Sequence, residues 1–392
     1  MSAVECDVLV VGGGPAGCSA ARAAAKSGLK TILIEEDTEI GNPVRCAEGI
    51  GAYLIPYIPF DIPKRLFKWK ISGMCFWAED LLIKRMGGMW SGYSINRREW
   101  DQWLALAAAK EGVKIYLDTK LISLECEAKY DVKKAIAIQY GKTIEFKPKY
   151  IVGADGTNST VINCLGIKQK AWVGHVKSYE MSNLTLKYAN YDQLFIGEFA
   201  PRSYAYIFPL SKTTANIGVG TIFKKERLDD LFEAFIDISF IKKQLGDRKI
   251  ITEKGGDAPI QNLTEKLVYG NVFLVGDTAN QNIKPFIEGN IPGIICGNIL
   301  GKFLSGISLE KENPNNYEKR VNEIFPFIKE SQPYADFAYG KTTIDNHTYN
   351  LILLGLMSGL IHPEKKEIGQ YAKKGYAYLK KYIIKNGGVI EN

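Results

Sequence analysis

"DVLVVGGGPAGCSAARAAAKSGLKTILIEED" occupies residues 7–37 and decides the fold. Val8–Val11 is a short apolar run of the kind that fills a buried parallel strand, and the alanine-rich segment from Ala16 to Lys26 has strong helix propensity. Gly12-Gly13-Gly14-Pro15-Ala16-Gly17 is the turn between them. A second apolar run, Thr31–Ile34, ends at Glu35, so the pattern predicts strand, turn, helix and strand. Gly12 permits the tight turn, Gly14 lets a pyrophosphate approach the backbone, and Gly17 lets the helix pack closely on the sheet. The helix N-terminus adds free N–H groups and a positive dipole. Glu35, with Glu36 beside it, is placed to accept hydrogen bonds from an adenosine ribose, and its charge disfavours a 2′-phosphate there. The unit reads as a dinucleotide site, with FAD and NAD both open at this point.

Two later segments bear on that choice. "KYIVGADGTNST" (149–160) sets a strand before Gly153-Ala154-Asp155-Gly156, and "NVFLVGDTAN" (271–280) sets another before Gly276-Asp277. Each ends a buried strand with an acid beside glycine, at the sheet edge where parallel α/β folds bind ligands. One such segment alone is a tight surface turn; two after a glycine-rich turn point to a cofactor.

Composition bounds the rest. A chain of 392 residues with 46% hydrophobic content is long enough for two or three subdomains around a sizeable core. The formal charge of +7 suits an anionic ligand, an acidic protein partner or an anionic membrane without choosing among them. The Lys and Arg residues are scattered, with no arginine-rich arm, so no nucleic-acid partner is expected. The seven cysteines form no CxxC or CxxH, and His175, His347 and His362 show no metal spacing; a reducing compartment and no metal site are expected. The N-terminus enters a strand without a basic leader, and apolar stretches such as "LILLGLMSGLI" (351–361) are too short to span a bilayer. A cytoplasmic protein is expected, soluble or peripheral on the inner face of the membrane.

Taken together, Gly12–Gly17 with Glu35, "GADGTNS" and "VFLVGDTAN" followed by a Pro/Gly-rich turn resemble the large FAD-dependent family of aromatic-ring hydroxylases, flavin halogenases and geranylgeranyl reductases. The resemblance implies FAD, with Asp155, Gly156, Gly276 and Asp277 at the cofactor. In "INRREWDQWLALAA" (95–108) it implies a flavin-side contact by Arg97, with Arg98 the competitor and an exposed helix-start cation the bland alternative. "IGNPVRCAEGI" (40–50) is similar to the segment of geranylgeranyl reductases that brings a cysteine near the flavin. Pro43 stiffens the approach, Arg45 can neutralise an anionic flavin or phosphate, Ala47 follows the cysteine, and Gly49 allows close backbone approach. Cys46 is the candidate functional thiol, against the alternative of a buried small hydrophobe.

"RSYAYIFPLSKTTANIGVG" (202–220) resembles the Tyr-x-Trp-x-Phe-Pro segment of those reductases, at Tyr204, Tyr206, Phe208 and Pro209, with Tyr206 in place of tryptophan. Alternation sets Tyr204, Tyr206 and Phe208 on one strand face, as the wall of an apolar channel or as plain core. The halogenases' pair of tryptophans is missing. In "KPFIEGNIPGI" (284–294) the resemblance implies backbone contacts from Gly289, Asn290 and Ile291, although Glu288-Gly289-Asn290 departs from the family's run. Ile162 stands where the family carries an arginine.

The fold expected is α/β, with a Rossmann-like FAD-binding domain, an antiparallel β-sheet substrate domain and a C-terminal helical region. The FAD domain is assembled from 1–60, 92–165 and 255–310, the substrate domain from 61–91 and 166–254, with β-rich segments at 67–88 and 171–222, and the helical region is 311–392. "IGQYAKKGYAYLKKYIIK" (368–385) reads as a basic amphipathic helix, packed on its own domain or touching an anionic membrane. The function implied is saturation of geranylgeranyl C=C bonds on a lipid or diphosphate, with Cys46 and Tyr206 as catalytic candidates. No second GxGxxG is visible for NAD(P)H, so a ferredoxin-like donor is expected. An FAD monooxygenase and an electron carrier to quinone are the alternatives.

Overall fold

The computed structural model describes residues 3–168, 172–264, 266–340 and 342–391. Val4–Val11 lies inside an eight-stranded sheet, in the order Val268–Tyr269, Val272–Leu274, Lys142–Gly153, Val4–Val11, Thr31–Ile34 and Lys114–Tyr116. The hairpin formed by Thr119–Ala128 and Asp131–Gln139 joins it through Lys142–Gly153. The inner strands run parallel. Val8, Leu9 and Val10 have no exposure, which is why this run is apolar at every position rather than at alternate ones.

The helix Pro15–Lys26 follows the glycine turn, and the helix Asn290–Ser308 packs against it. The approach is close because glycines face alanines: a Cβ on Gly297 would stand 2.3 Å from the Ala16 carbonyl oxygen, and one on Gly301 2.4 Å from that of Ala20. Asn290–Ser308 also corrects the expectation that no apolar stretch is long enough to cross a membrane. It passes by length and composition, yet 78% of its apolar window is buried, because it is sandwiched inside the protein core.

The second eight-stranded sheet runs Lys249–Pro259, Val173–Ser182, Ala215–Thr221, Ala205–Pro209, Tyr191–Ile196, Gly73–Ala78, Leu81–Met86 and Gly388–Ile390. It is antiparallel except where Tyr191–Ile196 runs parallel to Gly73–Ala78. The chain leaves this sheet after Met86, passes through the first sheet and returns, so no hairpin dictates the direction of that pair. Lys249–Pro259 lies wholly in the second sheet, across the expected boundary at 254/255, and Gly388–Ile390 adds a strand to the expected helical region. Phe67–Ile71 pairs elsewhere, in a three-stranded sheet with Gly92–Ile95 and Gly49–Gly51. The first residue of the segment 171–222 lies outside the described residues.

One face of the second sheet packs against the helix Asn346–Met357 and the C-terminal helix Lys365–Lys385, the other against Leu228–Ile236 and Ser239–Leu245. Lys365–Lys385 is not one straight helix: Gly375, at φ 74° and ψ −177°, breaks it. Ile368, Leu379 and Ile383 are buried in the core, while Lys373, Lys374, Lys381 and Lys385 are exposed.

Candidate active site

A single cavity of about 1090 Å³ has walls from both large sheets, at the top of the range usual for one ligand. Its polar end is the glycine turn. A Cβ on Gly12 would stand 2.4 Å from the Ala154 carbonyl oxygen, and its φ of 104° is closed to most side chains, so the turn requires glycine there. Gly14 has open space where a Cβ would sit, and as N-cap of Pro15–Lys26 it brings no side-chain hydrogen bond to the first-turn N–H groups. Glu35 accepts from the Gly13 N–H at 2.6 Å and from the Asp37 N–H at 3.0 Å. Burial raises its carboxyl above the ordinary range despite those donors.

The two strand-end acids reach the same cavity. Asp155 accepts from the Ser159 hydroxyl at 2.7 Å and the Val161 N–H at 3.0 Å, so it holds its own turn in shape. Asp277 is raised by burial, against the pull of nearby Lys284, whose own value burial lowers to about 7. Asn290 opens the helix Asn290–Ser308, and both its side-chain Nδ2 and Oδ1 are buried without a partner among the described residues. Two helix starts without side-chain caps, a glycine cradle and an orphaned amide on one cavity match a ligand rich in phosphate and ring-edge acceptors. The residues present therefore fit FAD.

The segment after the ribose-binding strand enters beside this cradle. Asn96 caps the helix Arg97–Lys110 by accepting from the Glu99 N–H at 2.9 Å, so Arg97 takes its first position. The Arg97 guanidinium forks onto Asp101 at 3.1 and 2.8 Å. Burial alone would lower its pKa, but Asp101 and Cys46 outweigh it and hold it above the ordinary value. Arg98 instead points outward to Glu39, so of the two arginines only Arg97 lines the cavity. Arg45 is exposed at the rim beside Gly256, and Cys46 is half-buried.

A buried ion cluster that the sequence did not reveal secures this segment. Glu48, at φ 67°, sits in a backbone region rare for side-chain-bearing residues, and its N–H donates to the Cys46 Sγ at 3.2 Å. Its carboxylate accepts from the Arg97 N–H at 2.8 Å, from the Asn216 amide at 2.9 Å and from the Lys254 ammonium at 2.6 Å. Lys254 also donates to Glu180 and to the Asn216 Oδ1, both at 2.9 Å. Burial would lower the Lys254 pKa, and the two carboxylates raise it instead. Glu48 stands inside the quoted "RCAEGI"; nothing in "KIITEKGGDAP" marked Lys254, the one buried side chain in the middle of an exposed strand.

The far end is apolar. Tyr206 and Phe208 point into the cavity from Ala205–Pro209 with rings 4.8 Å apart, and Tyr204, just before that strand, lies 6.5 Å from Tyr206. The Tyr204 hydroxyl donates to the Phe286 carbonyl at 2.9 Å. Burial raises both tyrosines well above their ordinary range. Met74, Met89, Trp90, Phe286 and Met357 complete this end; Phe286 lies in the quoted "KPFIEGNIPGI", and no motif had marked the other four. Asp192 and Glu288 also line it; Glu288 stands in the quoted "KPFIEGNIPGI", whereas Asp192, on a different element, falls in no sequence motif.

Gly14, Pro15, Ala16, Glu36, Ala47, Gly156, Gly276 and Gly289 line the cavity too. Three expected site residues do not. Gly17 packs under the turn, where a Cβ would stand 2.0 Å from the Gly12 carbonyl oxygen, so its part is helix–sheet packing. Pro209 faces away from Phe208 by strand alternation, and its carbonyl accepts from the Ser94 hydroxyl. Ile291 is fully buried in the first turn of its helix.

Known proteins match this architecture. A family model described as FAD dependent oxidoreductase matches residues 7–162, and one described as FAD binding domain matches residues 86–283. A digeranylgeranylglycerophospholipid reductase of Methanococcus aeolicus is 34% identical over 336 residues, covering 81% of this chain and 82% of that protein. One of Methanocaldococcus jannaschii is 34% identical over 330 residues with the same coverage. The crystal structure of a geranylgeranyl bacteriochlorophyll reductase-like protein from Thermoplasma acidophilum superposes with a TM-score of 0.80 at 24% identity, over 98% of this chain and all of that one. With a full cradle for the cofactor and relatives of this similarity across four-fifths of its length, the chain belongs to the digeranylgeranylglycerophospholipid reductase family of FAD-dependent oxidoreductases.

Proposed function

We propose that the protein saturates the isolated C=C bonds of geranylgeranyl chains carried on a glycerolipid. The observation that carries this reading is the continuity of the cavity, in which a polar cradle for FAD opens directly into a pocket of methionine and aromatic side chains. FAD, when bound, supplies the two-electron hydride chemistry that no side chain carries. Gly12, Gly14, the start of Pro15–Lys26 and Glu35 would hold its adenosine pyrophosphate portion, and Asp277, Gly289 and Asn290 its flavin portion.

The chain's own part is placement. An isolated alkene has no carbonyl to polarise, so rate comes from fixing each double bond in a dry pocket at reacting distance. Tyr206 and Phe208 form one wall, and the Tyr204 bond to the Phe286 carbonyl ties that wall to the loop before Asn290. Cys46, fixed by the Glu48 N–H, sits where cradle and pocket meet. Its reading as a functional thiol rests on that position and on its contact with Arg97.

Electrons are proposed to come from an acidic, ferredoxin-like protein, a reading supported by the net charge of +7. A peripheral place on the inner membrane face is proposed from the lipid substrate and the six exposed lysines of the C-terminal helix. The test is anaerobic: the purified flavoprotein is reduced with dithionite and given a digeranylgeranyl lipid, and product mass is followed with flavin re-oxidation. Gain of two hydrogens per double bond supports the reading. Unchanged lipid with fast re-oxidation by a quinone, or by oxygen with hydroxylation of an aromatic acceptor, overturns it.

A further inference from the structure

Asp192 lies near the start of the strand Tyr191–Ile196 with its Oδ1 buried and unpartnered among the described residues. Leu194 pairs with Tyr206 across the sheet, so by alternation Asp192 shares the cavity face with Tyr206 and Phe208. On its other side it is in register with Met74, another wall residue. A Cβ built on Gly49 would lie 3.7 Å from the Asp192 Oδ2 and 3.3 Å from the Phe208 ring, so the chain three residues beyond Cys46 runs directly against this carboxyl. A bare carboxylate among methionine and aromatic groups is costly unless it keeps a proton.

From this placement we infer that Asp192 is the proton donor of the reduction. The inference rests on the function proposed above. The alkene π bond breaks; one carbon takes hydride, with both electrons, from the reduced flavin, and the other takes the proton of the Asp192 carboxyl. Asp192 is left as a carboxylate and regains its proton from water at the cavity mouth. Glu288 lines the same cavity, its two oxygens accepting from the Gly51 N–H at 2.7 Å and the Tyr53 hydroxyl at 3.1 Å, and burial raises its own carboxyl above the ordinary range.

Burial first and the Glu288 charge second raise Asp192 to about 8, so it is protonated at neutral pH. The other titratable groups around it are Cys75 on the adjoining strand and Tyr204 and Tyr206 on the cavity face, all raised by burial and neutral in the same range. A carboxylic acid held neutral near the working pH is matched to proton transfer.

The experiment pairs catalysis with a readout independent of it. In single-turnover assays of the dithionite-reduced holoenzyme with a digeranylgeranyl lipid, Asp192→Asn is expected to slow alkene-linked flavin re-oxidation by about 100-fold or more. Its flavin content and its re-oxidation by oxygen should stay at the wild-type level. Infrared difference spectra of the apoprotein should show a protonated carboxyl band that fades as pH rises through about 8 and is missing from Asp192→Asn. A variant rate within about threefold of wild type overturns the inference, as does the lack of a titrating carboxyl band. If the variant fails to fold, wild type decides: a single-turnover rate that falls in step with the band supports the inference, and one that stays flat through that pH overturns it. Failure of the underlying function looks different, because wild type itself would then leave the lipid unreduced.

Discussion

Replacing Lys254 by methionine tests whether the buried ion cluster holds the Cys46 segment in place. The substitution keeps side-chain length but leaves the Glu48 and Glu180 carboxylates facing one another with only Asn216 between them. The Lys254 and Glu48 side chains are each 4% exposed, so solvent does not screen the loss, while Glu180 at 24% can turn partly toward water. Breaking a buried pair by removing one partner costs ~3–5 kcal/mol, and the partial solvation of Glu180 points to the lower half, about 3–4 kcal/mol. Over 392 residues the unfolding entropy is about 0.8 kcal/mol per kelvin, which converts that loss to a fall of about 4–5 °C in Tm. Because its folded pKa is raised above the ordinary 10.5, the Lys254 contribution is complete below that value and is lost only at more alkaline pH. The deficit should therefore be constant from about pH 6 to about pH 9. The assay is thermal and denaturant unfolding of wild type, Lys254→Met, Glu48→Gln and the double variant. A loss under about 1 kcal/mol, or a coupling energy under about 0.5 kcal/mol in the cycle, would refute the reasoning by showing the groups independent.

Other substitutions give separate readouts. Stability of wild-type apoprotein should decline as pH rises from about 4 to about 8, because folded Asp192 keeps a proton that the unfolded chain releases; Asp192→Asn should flatten this slope in a Tm series across that window. Gly218→Ala puts a methyl 2.5 Å from the Tyr206 Cζ and 2.7 Å from the Ser178 Cβ, so the ring must move. It should raise KM for the prenyl lipid severalfold while flavin content, read by absorbance, stays near one per chain. Gly12→Ala, at φ 104° and 2.4 Å from a backbone oxygen, should give protein that elutes without flavin or does not accumulate in soluble form.

Legibility in the sequence followed the reach of local rules. The glycine turn, its flanking strand and its helix were readable because each is set by neighbours within a few residues: Thr31–Ile34 ends where the pattern ends it, and Pro15–Lys26 begins at the glycine turn. The cavity wall at Tyr206 and Phe208 was readable by alternation. Asp192 carried the same signal, sharing parity with Leu194 and Ile196, but a lone acid at a strand start reads as an exposed edge until the partner strands are known. Lys254 and Glu180 carried no signal at all, since they meet across 74 residues of chain and Lys254 meets Glu48 across 206. The parallel pairing of Tyr191–Ile196 with Gly73–Ala78 likewise depends on where the chain re-enters the sheet, which local propensity does not encode.

The order of strands in the first sheet has a consequence for how the molecule comes into being. Val4–Val11 pairs with Lys142–Gly153, and that strand in turn pairs with Val272–Leu274, so most of the second sheet is synthesised before the first can close. At about 5–20 residues per second, the roughly 120 residues separating Gly153 from Val272 take about 6–24 s to emerge from a ribosome. During that interval the flank of Lys142–Gly153 that later receives Val272–Leu274 presents unpaired N–H and C=O groups beside apolar side chains, the kind of nascent surface that recruits chaperones or mispairs. A chain stalled between Gly153 and Val272 is left with a cofactor cradle that lacks one wall and a long-lived open edge.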